Sequence, residues 1–126
     1  KDYQQLYLVR KYERKKFKTK VVPCSTIRDK NKVALSSRNS FLNSEDIKKS
    51  SILAKKIIKF KKKIIKNIML RKKTKNIIFQ LNKLKNIKIE YLEVRNEKNL
   101  SKKITNKNFK IFVAYYNKNV RIIDNF

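Results

Sequence analysis

The sequence predicts an α+β domain: helices packed on a small antiparallel sheet, preceded by the last helix–strand unit of an α/β domain. Two observations carry this. Between residues 44 and 84 apolar residues recur at helical spacing, and from Ile87 onward the period changes to that of strands. A third observation marks the front of the chain, where a helical stretch is followed by a short β run that stops at Pro23.

Asp2 to about Lys15 reads as a helix, with Leu6, Val9 and Tyr3 on one face. Lys20–Val22 reads as a short strand. Residues 1–25 are therefore taken as the tail of a preceding domain, and residues 26–126 as a second domain. Residues 24–43 have no regular period and read as loop with local turns. Asn43 can cap the next helix, and Asp46 stands three residues later, where a capping-box partner belongs. This helix is expected to run to about Met69, with Ile47, Ser51, Ala54, Ile58 and Ile65 on one face and Ile57, Ile64 and Ile68 beside them. A further helix covers about Thr74 to Leu84, with Ile77, Ile78, Leu81 and Leu84 inward. Ile87 to about Arg95 alternates as a strand, Phe109–Tyr115 is a second strand, and Val120–Ile123 returns as its partner through a turn at Tyr116–Asn119.

Composition sets the bounds. The 126 residues include 36 Lys+Arg against 9 Asp+Glu, a net charge of +27. Such an excess suggests a polyanionic partner. The chain also lacks Gly, Trp and His, has one Pro, and is crowded with Lys, Asn and Ile. Those three residues have A/T-rich codons, so much of the charge reads as drift in an A/T-rich genome on a solvated surface. With no Gly, the positive-φ positions of turns are expected to fall to Asn. Cys24 is alone, which rules out an intrachain disulfide and fits a reducing compartment; it reads as a small buried residue. The hydrophobic run Ile57–Ile68 is broken throughout by Lys, so no membrane span is expected.

Several blocks stand in order along the chain: Lys1-Asp2-Tyr3-Gln4-Gln5-Leu6, then Thr26-Ile27-Arg28-Asp29, then Ala34-Leu35-Ser36-Ser37-Arg38-Asn39 before a capped helix. Ile89–Arg95, Phe112-Val113-Ala114 and Val120–Asn125 follow. Ser-Ser-Arg-Asn alone is an ordinary polar turn; the ordered set is specific. Together the blocks resemble the carboxy-terminal half of the pantoate–β-alanine ligase (pantothenate synthetase) family. The resemblance implies a cytoplasmic, two-domain, usually homodimeric enzyme. Its amino-terminal domain is a Rossmann-like nucleotidyl-transferase fold with a His-x-Gly-His motif, and its carboxy-terminal domain closes over the site as a lid. Such enzymes use ATP and Mg²⁺ to make pantoyl adenylate, which β-alanine converts to pantothenate and AMP.

Residue by residue, the resemblance implies ATP-binding roles for Lys1, Asp2, Ile27, Leu35, Ser36, Ser37 and Arg38. Lys1 would meet the phosphates, Asp2 the ribose hydroxyls, and Ile27 the adenine through its main chain. Leu35–Arg38 would form a mobile phosphate-binding loop. Gln5 would hold pantoate. Each has a plainer alternative: Lys1 a solvated lysine, Asp2 a helix-start acid, Gln5 an exposed helix residue, Ile27 a strand-end core residue.

Two departures stand out. Asn31-Lys32 occupies the place of the family's usual Asp-Gly, and Asn31 is expected to take the positive φ there. The 126 residues contain no His, so the catalytic imidazole is expected in a preceding part, and this chain alone is expected to be inactive. Two other functions compete. One is a basic RNA- or DNA-binding module, with Phe109, Phe112, Tyr115 and Tyr116 as stacking residues; nucleic acid is the less favoured partner. The other is a non-functional relic.

Overall fold

The computed structural model describes residues 2–16, 19–104 and 108–126. Among these residues three α-helices and three strands follow in the order α1 (Tyr3–Lys16), α2 (Ser44–Lys66), α3 (Thr74–Asn82), β1 (Ile87–Asn96), β2 (Phe109–Asn117) and β3 (Val120–Asn125). The strands form an antiparallel meander, β1-β2-β3. This is the expected α+β arrangement.

The core lies between α2, α3 and one face of the sheet. Leu53, Ala54, Ile57, Phe60 and Ile64 of α2 pack with Leu81 of α3 and with Ile111, Val113 and Tyr115 of β2. Side chains alternate across a strand, so Phe112 points the other way. On that second face the Tyr3 ring of α1 sits 6.0 Å from the Phe112 ring. Phe109, Phe112 and Tyr115 are all buried, which removes three of the four aromatics from any stacking surface. Lys48, Lys55, Lys56, Lys59, Lys62, Lys63 and Lys66 of α2 are exposed, as a solvated face requires.

Helix α2 stops at Lys66 rather than near Met69. The Asn67 side chain accepts from Met69 N and starts a 3-10 turn over Ile68–Lys73. A short polar side chain competing for main-chain donors is a common way for a helix to end. The inward face of α2 is also rotated from expectation: Phe60 and Leu53 are buried, while Ile65 is exposed. In β1 a bulge between Ile89 and Tyr91 breaks the alternation. Ile87 and Ile89 are buried before it and Leu92 after it, so the inward parity flips at Glu90.

No strand forms at Lys20–Val22, and Val22 is exposed. A strand exists only through ladder hydrogen bonds, and no described strand lies alongside this segment. Val9 of α1, expected inward, is exposed with Leu8 and Tyr12. Cys24 is exposed rather than buried.

Asn43 caps α2 by accepting from Asp46 N at 2.9 Å. The reciprocal half of a capping box is absent among the described residues. The buried Asp46 carboxylate turns instead to Lys118 Nζ at 2.7 Å, with Lys49 Nζ at 3.7 Å. The Lys118 ammonium holds this carboxyl below the usual carboxylate range. Asn117, fully buried, donates to Asp46 O and Ser50 Oγ, so the β2–β3 turn is tied to the start of α2. Lys118, not an Asn, takes positive φ in that turn; among the described residues the others are Lys32, Leu100 and Asn86, so one of these four is Asn.

Burial pushes the Tyr115 hydroxyl up to about 12, against a smaller opposing effect of its hydrogen bond with Ser50. The folded value lies above the unfolded one of about 10. Its contribution is therefore complete below about pH 10 and is lost as pH rises through about 12. The denaturation midpoint is expected to fall across that window, and Tyr115→Phe is expected to flatten the fall.

Candidate functional site

The segment leading out of residues 19–27 folds back on itself. Arg28 bridges to Ala34, and Leu35 N donates to Ile27 O at 3.0 Å. Asp29 closes the tip: its N donates to Val33 O at 2.9 Å, and its Oδ1 accepts from Val33 N at 2.9 Å. Val33 and Ala34 are buried beneath, and Ser51 Oγ of α2 donates to Asn31 O at 2.7 Å.

Lys32, not Asn31, carries the positive φ of this turn, at 67°. The left-handed region costs a residue with a Cβ roughly 1–2 kcal/mol, and glycine escapes that cost. Replacing Lys32 by Gly is expected to stabilise the chain by about 1 kcal/mol after the entropy of the freer unfolded chain is counted. Urea denaturation with an unchanged slope checks this.

Arg28 locks the folded segment to the end of the sheet. Its guanidinium donates to Asp124 Oδ2 at 2.7 Å and Oδ1 at 2.9 Å, a bidentate pair spanning 96 positions. It also donates to Asn125 O and Lys32 O, each at 2.9 Å, and stacks 4.4 Å over the Phe126 ring. The planar fork of arginine suits this set of partners; a lysine could satisfy only part of it.

From this base the chain enters a 3-10 turn, Ser37–Phe41. Ser36 caps it by accepting from Arg38 N at 3.3 Å. Asn39 Nδ2 donates to Ala34 O at 3.1 Å and ties the turn back. Arg38 is exposed and makes one described bond, Nη1 to Arg121 O of β3 at 3.2 Å. Arg121 is itself held by Glu90, at 2.7 and 3.0 Å.

Helix α1 completes the site. Asp2 begins it, its carbonyl accepting from Leu6 N at 3.1 Å. Tyr3 docks the helix, donating to Glu97 O at 3.0 Å beneath the Lys110 ammonium, which lies 4.8 Å from its ring centroid. Burial, then the nearby Glu97 charge, pushes the Tyr3 hydroxyl above its usual value. The result is a small cleft of about 210 Å³ lined by Asp2, Ser36, Ser37, Arg38, Ile122 and Ile123.

Four expected site residues are thus brought together: Asp2, Ser36, Ser37 and Arg38. Lys1 lies outside the described residues. Ile27 and Leu35 are main-chain neighbours with exposed side chains, and neither lines this cleft. The exposure of Ile27 removes its reading as a core residue. Gln5 is exposed on α1 and lines neither this cleft nor the two larger ones beside α1. The Arg28–Asp124 pair and the docking of α1 by Tyr3 escaped the sequence reading. Both halves of the pair stood in blocks already singled out, Thr26–Asp29 and Val120–Asn125, but nothing in either block names its partner.

The family model for pantoate-beta-alanine ligase matches residues 1–126. The chain belongs to the pantoate–β-alanine ligase family. A pantothenate synthetase of Endomicrobium trichonymphae is 37% identical over 127 residues, covering 99% of this chain and 44% of the relative. One from Clostridium acetobutylicum is 35% identical, covering 100% of this chain and 46% of the relative. The chain spans less than half the length of these curated relatives. Among solved structures, pantothenate synthetase from Thermus thermophilus aligns over the whole chain with a TM-score of 0.79 at 26% identity, and 46% of that protein is covered. The family's enzyme from Francisella tularensis, solved in complex with β-γ ATP and β-alanine, aligns with a TM-score of 0.68 at 27% identity and is 40% covered. Family membership accounts for the ordered blocks at the front of the chain, two of which meet at one cleft.

Proposed function

We propose that the protein is an ATP-dependent ligase joining pantoate to β-alanine, and that this chain supplies its phosphate-binding loop and lid. The carrying observation is the cleft that assembles Asp2, Ser36, Ser37 and Arg38 from a helix and a loop far apart in sequence. In this reading pantoate's carboxylate attacks the α-phosphate of ATP, releasing pyrophosphate and leaving pantoyl adenylate. The β-alanine amine then attacks the acyl carbon, and AMP leaves with the pair of electrons.

Residues 1–25 belong to the preceding nucleotide-binding domain and residues 26–126 to the lid. Arg38 and the Ser36–Ser37 hydroxyls face the phosphates, where a fixed charge and directed donors oppose the charge growing on the leaving pyrophosphate. Lys1 joins them from the other wall. Asp2 accepts from the ribose hydroxyls. Ile27 serves adenine through its main chain: its carbonyl already accepts from Leu35 N, and a carbonyl has a second lone pair. Gln5, exposed on the same helix as Asp2, takes pantoate. The complete protein is a cytoplasmic homodimer joined through its preceding domain.

Mg²⁺ belongs to the family's reaction. The described residues hold no cluster of three carboxylate, thiolate or imidazole groups suited to a metal ion. The described residues by themselves do not fit a Mg²⁺ cage.

The test is AMP release with ATP, pantoate and β-alanine. The complete protein is expected to turn over. The isolated 126-residue chain is expected not to, because it contains no His to supply an imidazole. Turnover by the isolated chain would sink the assignment of catalysis to a preceding part.

A further inference from the structure

A second cleft, of about 760 Å³, lies under α1 and shares only Asp2 with the Ser36–Arg38 cleft. Its walls come from α1, residues 22–28, α2 and the ends of the strands. Four cations line it, Arg10, Arg28, Lys61 and Lys110, against two acids, Asp2 and Glu97. Two of the cations are already satisfied. Arg28 is held by Asp124, and Lys110 sits 3.5 Å from Glu97 and over the Tyr3 ring.

Arg10 and Lys61 have no ion-pair partner among the described residues. Lys61 differs from its neighbours on α2. Lys59, Lys62 and Lys63 are exposed, whereas Lys61 is half-buried and turned into the cleft. Burial, and then the like charge of Lys110, pushes its ammonium below the usual value. A half-desolvated cation beside another cation is held at a cost, and an anion entering the cleft would relieve it. Beside these charges lie Leu6, Ile58 and Phe126, an apolar wall that inorganic ions do not use.

We propose that this cleft is a second anion site, which takes a small organic phosphate: the phosphate between Arg10 and Lys61, and the apolar remainder against Leu6, Ile58 and Phe126. Such a ligand bridges α1 to α2 and so fixes the helix that carries Asp2. Neither Arg10 nor Lys61 belongs to the proposed ATP site, so the two sites can be separated.

Phenyl phosphate is the probe, titrated calorimetrically into the complete protein. Lys61→Gln and Arg10→Gln are each expected to weaken binding by about tenfold, as loss of a charge-assisted hydrogen bond does. Arg38→Ala is expected to leave it unchanged. In the NMR titration of the wild-type Lys61 side chain, the probe is expected to move its midpoint to higher pH. A purely structural role for Lys61 would not give that shift. Unchanged affinity in a folded Lys61→Gln variant would overturn the proposal, as would loss of binding in Arg38→Ala alone, which would place the anion in the other cleft. The proposed ligase activity is read separately, by AMP release, so failure of one leaves the other standing.

Discussion

Arg38→Ala in the complete protein is expected to lower kcat for AMP release by roughly 10²–10³, the usual cost of removing a donor that meets charge developing in the transition state. The loss should fall on kcat more than on KM for ATP, because a loop contact of this type strengthens as pyrophosphate leaves. Arg38→Lys should recover only part, since an ammonium keeps the charge and loses the planar fork. Stability should change by no more than about 0.5 kcal/mol, because Arg38 is exposed and makes a single described bond, to Arg121 O. A raised KM with unchanged kcat would make Arg38 a ground-state binder. No change in either would remove it from the site.

Arg28→Ala is expected to destabilise the fold by about 3–5 kcal/mol, a large share of what holds a domain this size together. The variant leaves the Asp124 carboxylate, only 6% exposed, without its cation. It also frees Lys32 O and Asn125 O and uncovers the Phe126 ring. Urea denaturation measures the loss. The double variant Arg28→Met with Asp124→Leu should regain much of it, because replacing both charges removes the desolvation cost of each. A single-variant cost under about 1 kcal/mol would mean the pair behaves as a surface ion pair, and the 27–35 fold-back would then be held by its own main-chain bonds and by Ser51 of α2.

These two arginines show how differently sequence and structure informed the reading. Arg38 was legible because Ser36-Ser37-Arg38 is a contiguous block, and contiguity keeps its members together whatever the fold. Arg28 was visible as a residue but not as a clamp, since its partner stands 96 positions away. The β1 bulge was hidden for a related reason: alternation in Ile87–Val94 reads cleanly, and only pairing with β2 shows that Glu90 is the extra residue. The short strand at Lys20–Val22 failed because propensity describes a residue's fit to a sheet, not the presence of a neighbour to bond with. Positive φ was assigned to Asn on intrinsic preference, yet Lys32, Leu100 and Lys118 hold three of the four such positions among the described residues. At the 27–35 turn and at the β2–β3 turn, the bonds around Arg28, Asp46 and Asn117 fix the chain path whichever residue occupies it.

The sequence by itself determined what depends on near neighbours: the period of α2 and α3, the change to strands at Ile87, the hairpin turn within Tyr116–Asn119, and the ordered blocks that mark the family. Tertiary structure alone decided which way α2 turns its lysines, that Cys24 and Ile27 lie outside, that Asp46 serves Lys118 rather than a capping box, and that Asp2 meets Ser36–Arg38. The reason is physical. Hydrogen bonds within a turn and apolar periodicity are set over a few residues, whereas burial and ion pairing depend on which surfaces meet, and that is settled only when the whole chain has packed.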